Sequence, residues 1–374
     1  MDICEQSPTY IRAIAPYEPG KPISELAREY GLDERSIIKL ASNENPLGFS
    51  PRAREAIERE LAEVPRYPDG NAFALKAALS KRFGKPMASI VVGNGSNDLL
   101  ELVASAFLAP GRASVFSQHA FAVYPLATQA RGARSIVVPA KNFGHDLPAM
   151  LAAITPETRV VFIANPNNPT GTFVDAGDME AFLGKVPGDI VVVVDEAYTD
   201  YLPPERRYDC ARWLDTHRNL VVTRTFSKVY GLAGLRVGFA LCDPGVADLL
   251  NRVRQPFNVN SLALAAATAA LEDREFVERS FQMNREGMLQ LERGFDALGL
   301  EYIPSCGNFI SVRIPRAGGD GKPQAGAVFE RLLRLGVIVR PVAGYQMPDH
   351  LRVTVGLPQE NEGLLGALRK ILKD

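Results

Sequence analysis

The stretch DIVVVVDE at residues 189–196 decides the fold, because five consecutive apolar residues are followed directly by two carboxylates. A strand that is apolar at consecutive positions is buried on both faces, as in a parallel sheet covered by helices. Amphipathic stretches such as 97–108 and 175–183 alternate with this strand and with similar short apolar runs, at 89–92, 114–116, 135–138, 160–164 and 220–223. The alternation predicts an α/β fold with a mostly parallel central sheet and right-handed crossovers.

The two ends of the chain differ from this central part. Residues 1–45 are rich in proline, glycine and polar residues, which predicts an arm with one short helix. Residues 46–271 form the predicted large domain. After residue 272 a long helical pattern at 273–298 precedes short strands and helices, predicted at 308–312, 325–335, 337–339, 351–355 and 360–372. We interpret residues 272–374 as a smaller α+β domain that packs closely against the large one.

Composition limits the classes of partner. The 374 residues include 42 basic and 43 acidic ones, and the net charge of −1 gives no field that would attract nucleic acid or an anionic membrane. The four cysteines form no CxxC pair, which favours free thiols in a reducing compartment. The chain start lacks a signal-peptide pattern, the apolar run 262–271 is too short for a membrane span, and the four histidines lack metal-ligand spacing. We therefore expect a cytoplasmic protein without a metal, nucleic-acid or membrane partner.

Two segments that follow or end predicted strands carry signals typical of phosphate or nucleotide sites. GNGSND at 93–98 opens a helix, but Asp98 occupies the position of the last glycine in a dinucleotide-binding fingerprint. Two interpretations of this loop fit equally well. It is either a simple helix N-cap or an anion-binding site made of backbone N–H groups and the helix dipole. The acidic pair at 195–196 suits Mg²⁺ and a nucleotide, although the GxxxxGK[ST] loop that such sites require is missing.

Two further loops follow apolar strands. NPNNPTG at 165–171 has the composition of a tight turn, and it lies where the carboxyl end of a parallel strand would place a ligand. In TFSKVYGLAGLRVG at 225–238, Lys228 directly follows a strand and Arg236 comes within the same short loop. Most lysines are solvated surface charges, which is the alternative here. A desolvated lysine, however, loses its proton easily and forms an imine with an aldehyde.

Together these residues match the needs of one cofactor. Pyridoxal phosphate requires a lysine for its aldehyde, an acid for its ring nitrogen, donors for its ring oxygen, an aromatic ring to stack on and a cup for its phosphate. The chain offers a candidate for each, namely Lys228 for the imine, Asp195 for the ring nitrogen, Asn168 and Tyr198 for the ring oxygen, Phe121 for stacking, and Gly95, Ser96, Asn97, Thr225, Ser227 and Arg236 for the phosphate. We therefore predict a pyridoxal phosphate site at the carboxyl edge of the sheet.

Several motifs occur in order over nearly the whole chain: ASNENPLG at 41–48, RYP at 66–68, NPNNPTG at 165–171, DEAY at 195–198, SK at 227–228 with GLAGLR at 231–236, and LRVTVG at 351–356. With these motifs the sequence resembles the fold-type-I, class-II-like pyridoxal phosphate aminotransferases, and within them the histidinol-phosphate aminotransferase family. Single motifs such as the turn are shared by many aminotransferases. Phe121 departs from the family, in which tyrosine is common at the stacking position, and so lacks a hydroxyl.

The resemblance implies further roles for individual residues. It implies a homodimer with active sites at the interface, in which Tyr67 reaches the cofactor phosphate of the neighbouring subunit. Arg352 would hold the carboxylate of an amino acid substrate, and Arg340 would help to hold the phosphate of histidinol phosphate. Arginine suits both tasks because its planar fork stays charged and matches either anion, although surface ion pairs are the alternative for both residues. Tyr17 and Asn45, in the arm, are expected to contact a ligand.

The predicted activity is a transamination in two halves. L-Histidinol phosphate gives up its amino group and leaves as imidazole acetol phosphate, and 2-oxoglutarate takes the group up as L-glutamate, a step of histidine biosynthesis. Lys228 acts as general base and then acid, with Asp195 and Tyr198 as the other predicted catalytic residues. An aromatic amino acid aminotransferase is the nearest alternative, followed by a threonine-phosphate decarboxylase. A nucleotide-binding switch and a non-catalytic pyridoxal phosphate-binding regulator are alternatives from other classes, and the sequence lacks the phosphate loop or the DNA-binding segment that they need.

Overall fold

The computed structural model describes residues 2–17, 20–316 and 322–373. The N-terminal segment contains α1 (Thr9–Arg12), α2 (Ile23–Tyr30) and β1 (Ile38–Lys39). It therefore has two α-helices where the sequence predicted one. The four residues of α1 form a single turn, and a segment of that length is too short to show a helical repeat of apolar residues.

The central part of the chain alternates strands and helices, as predicted. Its elements are α3 (Pro51–Glu60), α4 (Phe73–Phe83), β2 (Ile90–Gly93), α5 (Ser96–Phe107), β3 (Ala113–Ser117), α6 (Val123–Ala130), β4 (Arg134–Val138), α7 (Leu147–Ala152), β5 (Thr158–Ala164), α8 (Ala176–Leu183), β6 (Val191–Asp195), β7 (Leu220–Thr225), β8 (Gly238–Cys242), α9 (Pro244–Val253) and α10 (Ser261–Glu272).

The central sheet has seven strands in the order β2-β8-β7-β6-β5-β3-β4. Only β8 runs antiparallel to its neighbours, so the prediction of a mostly parallel sheet is confirmed. The sequence analysis missed β8. This strand follows the lysine loop after a single short connection, whereas the parallel strands are separated by helices that mark their limits.

The valine run of β6 shows why the sheet is covered on both sides. Val192 and Val194 pack in one apolar cluster with Leu220 and Val222 of β7, whereas Val191 and Val193 pack in a second cluster on the opposite face. Successive side chains of a strand point to opposite faces, so consecutive valines bury both. Each buried valine contributes roughly 1.5–3 kcal/mol to folding.

The C-terminal part contains a long helix and a smaller sheet. Its elements are α11 (Arg274–Ala297), β9 (Tyr302–Ile303), β10 (Phe309–Arg313), α12 (Ala325–Arg334), β11 (Val337–Ile338), β12 (Arg340–Pro341), β13 (His350–Thr354) and α13 (Pro358–Lys373). The antiparallel sheet has the order β12-β13-β10-β9. Strand β11 lies outside it and pairs in parallel with β1 of the N-terminal segment.

The division of the chain into residues 1–45, 46–271 and 272–374 stays a prediction. It is supported by a separate apolar cluster in the C-terminal part, formed by Leu291, Ile310, Val353 and Leu364 with their neighbours. Leu40 of the arm belongs to the same cluster. In the described ranges no helix is long and apolar enough to cross a membrane, and no group of three or more His, Cys, Asp or Glu side chains is arranged to hold a metal ion.

Candidate active site

The carboxyl ends of β5, β6 and β7 meet at one edge of the sheet, where Ala164 lies opposite Asp195 and Asp195 lies opposite Thr223. A cavity of about 240 Å³ opens there. It is lined by thirteen of the residues that the sequence predicted for the site: Tyr17, Ser96, Asn97, Phe121, Asn168, Asp195, Tyr198, Thr225, Ser227, Lys228, Arg236, Arg340 and Arg352. Open parallel sheets bind ligands at this edge.

Lys228 lies three residues beyond β7, with its amine inside the cavity. Nζ donates a hydrogen bond to the Ser42 carbonyl oxygen at 3.2 Å and lies 5.6 Å from the centre of the Tyr198 ring. Burial, reinforced by the positive charge of Arg352, lowers the pKa of Lys228 to about 7. A large fraction of the amine is therefore uncharged near neutral pH, as attack on an aldehyde requires.

Asp195 is the last residue of β6 and is only 4% exposed. Thr223 Oγ1 donates to its Oδ1 at 3.1 Å, and the Tyr124 hydroxyl donates to its Oδ2 at 3.3 Å. Burial raises the pKa of Asp195 to about 6, and these two hydrogen bonds oppose the rise. The carboxylate is thus held by neutral donors, and a cationic ring nitrogen would stabilise its charged form.

Tyr198 and Asn168 face the same cavity from neighbouring loops. The Tyr198 hydroxyl oxygen accepts hydrogen bonds from Asn43 Nδ2 at 2.9 Å and from Asn168 Nδ2 at 3.3 Å. Asn168 Oδ1 accepts a hydrogen bond from Arg352 Nη1 at 2.6 Å, which fixes the orientation of that amide. Burial raises the pKa of Tyr198 to about 12, so the hydroxyl keeps its proton and remains a donor.

The predicted phosphate cup lies at the N-terminus of α5. Gly95 is the N-cap residue with φ +80°, and a Cβ there would come within 2.5 Å of Arg236 Nη2. Arg236 Nη1 donates to Ser227 Oγ at 3.3 Å, and Thr225 Oγ1 donates to the same oxygen at 3.0 Å. A helix N-terminus, a guanidinium and two hydroxyls form an arrangement that binds a phosphate group. Gly95 does not itself line the cavity but allows the arginine to approach the helix end.

Phe121 lines the cavity beside α6. Its ring meets the ring of Tyr124 edge to face, with centroids 6.0 Å apart and an interplanar angle of 86°. A phenylalanine in this place offers an aromatic face for stacking and no hydrogen bond from its side chain. The packing against Tyr124, whose hydroxyl contacts Asp195, links the stacking position to the acid.

Arg352 lies in β13 and is only 6% exposed. Nη2 donates to the Ala41 carbonyl at 2.7 Å, and Nε is buried without a hydrogen-bond partner. Within the described ranges no carboxylate lies within 4.0 Å of this guanidinium, so the surface ion pair considered as an alternative is not found. A buried arginine with an unused donor is suited to bind an anion.

Arg340 and Tyr17 lie at the mouth of the cavity. The Arg340 guanidinium is 5.5 Å from the centre of the Tyr17 ring, and Tyr17 is 53% exposed. Tyr345 also lines the mouth, and His119 Nδ1 contacts its backbone oxygen at 2.7 Å. The mouth therefore combines a cation with aromatic rings, which suits an anionic ligand that carries a flat ring.

Besides Gly95, the predicted residues Asn45 and Tyr67 do not line the cavity. Asn45 is buried elsewhere, because its Nδ2 donates to the Val229 carbonyl and to Ser280 Oγ, both at 2.8 Å. These bonds use the amide nitrogen internally, and the ligand contact of Asn45 stays a prediction. Tyr67 is 83% exposed and stacks on Phe257 with centroids 4.8 Å apart. It stays a predicted contact to the site of a second subunit.

The sequence analysis missed three residues that contact the predicted ones. Tyr124 and Thr223 hold Asp195, and Asn43 holds Tyr198. Tyr124 stands three residues after Phe121, about one helical turn, and this spacing was a usable signal. Asn43 lies inside the ASNENPLG motif with φ 55°, a conformation that asparagine tolerates better than most residues. Nothing in the sequence pairs it with Tyr198.

The residues of the cavity fit pyridoxal phosphate by the chemistry of their groups. A lysine with a lowered pKa, a buried carboxylate, a helix N-terminus with a guanidinium, and a second, buried arginine share one cavity. Each matches one reactive part of the cofactor or of an amino acid substrate.

Comparisons with known proteins agree with this chemistry. The family model of aminotransferase class I and II matches residues 35–368. Histidinol-phosphate aminotransferase 2 of Nitrosospira multiformis is 61% identical over 368 residues, covering 98% of this chain and 92% of that protein. The corresponding enzyme 2 of Pseudomonas aeruginosa is 59% identical over 362 residues, covering 97% and 96%. A crystal structure of histidinol-phosphate aminotransferase from Sinorhizobium meliloti in complex with pyridoxal-5'-phosphate is similar at 28% identity and a TM-score of 0.89, covering 98% of this chain and 97% of that one. The chain therefore belongs to the class I and II aminotransferases, and within them to the histidinol-phosphate aminotransferase family.

Proposed function

We propose that the protein is a pyridoxal phosphate-dependent transaminase that converts L-histidinol phosphate and 2-oxoglutarate into imidazole acetol phosphate and L-glutamate, in histidine biosynthesis. The observation that carries the proposal is the placement of Lys228 and Asp195 in one cavity with the two arginines predicted to bind substrates, Arg340 and Arg352. Relatives named for this reaction, about 60% identical over nearly the whole chain, support the choice of substrate.

The cofactor would be held by groups on both sides of the cavity. Its phosphate would lie against the N-terminus of α5 with Thr225, Ser227 and Arg236, and its ring would stack on Phe121. Asp195 would pair with the ring nitrogen, and Asn168 and Tyr198 would donate to the ring oxygen. When bound, pyridoxal phosphate supplies an aldehyde that joins an amine and a ring that accepts the electron pair left by a departing proton.

Lys228 is the residue that moves the proton. With a pKa of about 7, Nζ is neutral often enough to take a proton from the Cα of the substrate and basic enough to keep it until it is returned. The Ser42 carbonyl, 3.2 Å away, orients the amine. The Tyr198 ring lies 5.6 Å from Nζ, and its hydroxyl would donate to the ring oxygen of the cofactor. Tyr198 therefore contributes to positioning rather than to the proton transfer itself.

The two arginines divide the substrates between them. Arg352 would bind the carboxylate next to the reacting carbon in glutamate and 2-oxoglutarate, since its guanidinium lines the cavity and donates only to neutral oxygens of the protein. L-Histidinol phosphate has no carboxylate, but it carries a phosphate, which Arg340 at the mouth would bind beside Tyr17. One site can therefore accept two substrates whose only shared part is an amine-bearing or carbonyl-bearing carbon.

We also propose that the enzyme works as a cytoplasmic homodimer. Tyr67, Phe73, Val64 and Leu61 are between 55% and 83% exposed and close together in sequence, and Phe257 stacks on Tyr67. An exposed apolar patch of this kind marks an interaction surface. A second copy that covers this patch would receive Tyr67 at its cofactor phosphate.

A substrate panel on the purified enzyme tests the proposal. Turnover and the change in visible absorbance would be measured for L-histidinol phosphate, L-phenylalanine and L-threonine phosphate, each with 2-oxoglutarate. We expect kcat/KM for histidinol phosphate to exceed that for phenylalanine by about 100-fold, the order of the difference that one charge-assisted arginine–phosphate contact provides. Faster turnover of phenylalanine would assign the enzyme to aromatic amino acids, and CO₂ release from threonine phosphate would assign it to the decarboxylases.

A further inference from the structure

The hydroxyl of Tyr198 has an unusual pair of neighbours. Two side-chain amide nitrogens, Asn43 Nδ2 and Asn168 Nδ2, lie 2.9 and 3.3 Å from its oxygen. Amide nitrogens only donate, so the hydroxyl oxygen accepts from both and its two lone pairs are used. Its single hydrogen finds no acceptor within the described residues, and the tyrosine lines the cavity.

Neighbouring groups fix the orientation of both amides. Arg352 can only donate, so Asn168 must present its oxygen to the guanidinium and its nitrogen to Tyr198. Thr354 Oγ1 accepts from the backbone N–H of Asn43 at 2.9 Å, which leaves its hydrogen free for Asn43 Oδ1 at 3.2 Å. The nitrogen of Asn43 therefore also faces the tyrosine.

Asn43 is anchored to the C-terminal sheet. It is 1% exposed, and its carbonyl accepts from Asn308 Nδ2 at 3.1 Å, next to β10, while Thr354 ends β13. Tyr198, in contrast, follows β6 of the central sheet. The Asn43 side chain is therefore a hydrogen-bonded bridge between the C-terminal sheet and a cavity residue.

We propose that Asn43 is a positioning residue that forces the Tyr198 hydroxyl to donate into the cavity, toward the phenolic oxygen of bound pyridoxal phosphate. This inference rests on the proposed function only in the identity of the cofactor. A hydroxyl whose lone pairs both accept hydrogen bonds is polarised and becomes a stronger donor. Asn43 thus controls the electron density at the ring oxygen without touching the cofactor. Thr354 of the C-terminal sheet holds the Asn43 amide in the orientation that this requires.

The variant Asn43→Asp reverses the hydrogen bond while preserving size and backbone conformation. A carboxylate only accepts, so the Tyr198 hydroxyl would turn its hydrogen toward residue 43 and away from the cofactor. A hydrogen bond donated to the ring oxygen stabilises its negative charge, so losing that bond raises the pH midpoint of the visible absorbance change of the holoenzyme. We expect an increase of about one pH unit, measured by titrating the absorbance without any amine substrate.

A second background separates the hydrogen bond from the added charge. In Tyr198→Phe the hydroxyl is missing. Adding Asn43→Asp to this variant should shift the pH midpoint by less than half as much as it does in the wild type, a comparison that forms a double-mutant cycle. Equal shifts in both backgrounds, or no shift with tyrosine present, would overturn the proposal. Thr354→Val is an uncharged second test that frees the Asn43 amide to rotate, and it should raise the midpoint only when Tyr198 is present.

Asn142→Asp is the matched control. Asn142 is also in the left-handed region, with φ 50°, but it is exposed and does not line the cavity. Its substitution should leave the midpoint unchanged, and an equal shift there would overturn the assignment to Asn43. The titration does not depend on which amine the enzyme uses, so failure of the histidinol phosphate assignment leaves this result intact. A wild-type chain that binds no cofactor would overturn both proposals.

Discussion

The inner wall of the cavity and its outer residues differ in how completely one chain builds them. The inner wall is formed by Asp195, Asn168, Tyr198 and the half-buried Lys228, and its side chains are held by hydrogen bonds within the chain. The outer residues Tyr17, Tyr67 and Arg340 belong to the arm, the surface and the edge of the small sheet, and Tyr17 and Tyr67 are 53% and 83% exposed. The residues proposed for the chemistry are therefore held within one chain, whereas those proposed for substrate choice and for the dimer contact lie on more exposed parts.

The largest expected effect tests whether the inner wall carries the chemistry. Lys228→Ala removes the group that forms the covalent link and moves the proton, so kcat should fall by at least about 10⁴-fold. Borohydride reduction followed by mass spectrometry should find no trapped cofactor in the variant. Trapping at another lysine would show that the inner wall is assigned wrongly, and Lys185→Ala, an exposed lysine outside the cavity, is the control that should keep full activity.

The next effect concerns the stability of the inner wall without its cofactor. The pKa of Asp195 is about 6 in the folded protein, above its ordinary value. The protonated carboxyl therefore adds to the free energy of unfolding below about pH 4, and this stabilisation is lost as pH rises through 6. The loss amounts to roughly 3 kcal/mol by pH 8. We expect Asp195→Asn to remove this part of the pH dependence, measured as the thermal midpoint of the cofactor-free protein between pH 4 and 8.

The exposed Asp178 provides the control for that measurement, because Asp178→Asn makes the same chemical change outside the cavity. It should retain the decline of the wild type. If Asp195→Asn also retained it, the burial of the carboxyl would not limit the stability of the inner wall. Cofactor binding should show the opposite trend and weaken below pH 6, because the ring nitrogen pairs with the ionised carboxylate.

A pair of arginine variants sharpens the division between inner wall and outer residues. Arg352→Ala should raise KM for 2-oxoglutarate about 100-fold, since a buried charge-assisted contact is lost, with a smaller effect on histidinol phosphate. Arg340→Ala should do the reverse and act mainly on histidinol phosphate. Steady-state kinetics with each substrate varied in turn measures both. Equal losses for both substrates in both variants would contradict separate roles.

The smallest effect tests whether the outer residues are completed by a second chain. Tyr67→Phe should weaken cofactor binding about 10-fold, the value of one hydrogen bond to a charged group. Mixed dimers of Lys228→Ala and Tyr67→Phe subunits should recover one intact site, which should bind the cofactor about 10-fold more tightly than the sites of the Tyr67→Phe dimer. No recovery on mixing would place Tyr67 outside the active site.

The side chains predicted at strand ends line one cavity. Lys228, Asp195 and the turn at 165–171 each follow an apolar run, and parallel strands bring such ends together whatever their side chains. Sequence analysis failed where two distant segments meet. Asn43 and Tyr198 are 155 residues apart, and their contact depends on how the arm lies against both sheets. Nothing local shows that the amide of Asn45, two residues further on, is used by Val229 and Ser280.

In the fold, too, contacts between distant segments were not predicted from the sequence. Strands of the central sheet were predicted because helices separate them, whereas β8 was missed and the pairing of β1 with β11 could not be foreseen. A two-residue strand has no repeat to detect, and its partner lies far along the chain.

The attachment of the arm has a consequence for Lys228. Residues 38–45 are fastened at one end to β11 and Thr354, and at the other end to the lysine loop through Asn45 and the Val229 carbonyl. Ser42, whose carbonyl holds the Lys228 amine, lies between these two attachments. Because Asn43 on one side of Ser42 bonds to the C-terminal sheet and Asn45 bonds to the lysine loop, the carbonyl that holds the Lys228 amine is positioned by both parts of the chain.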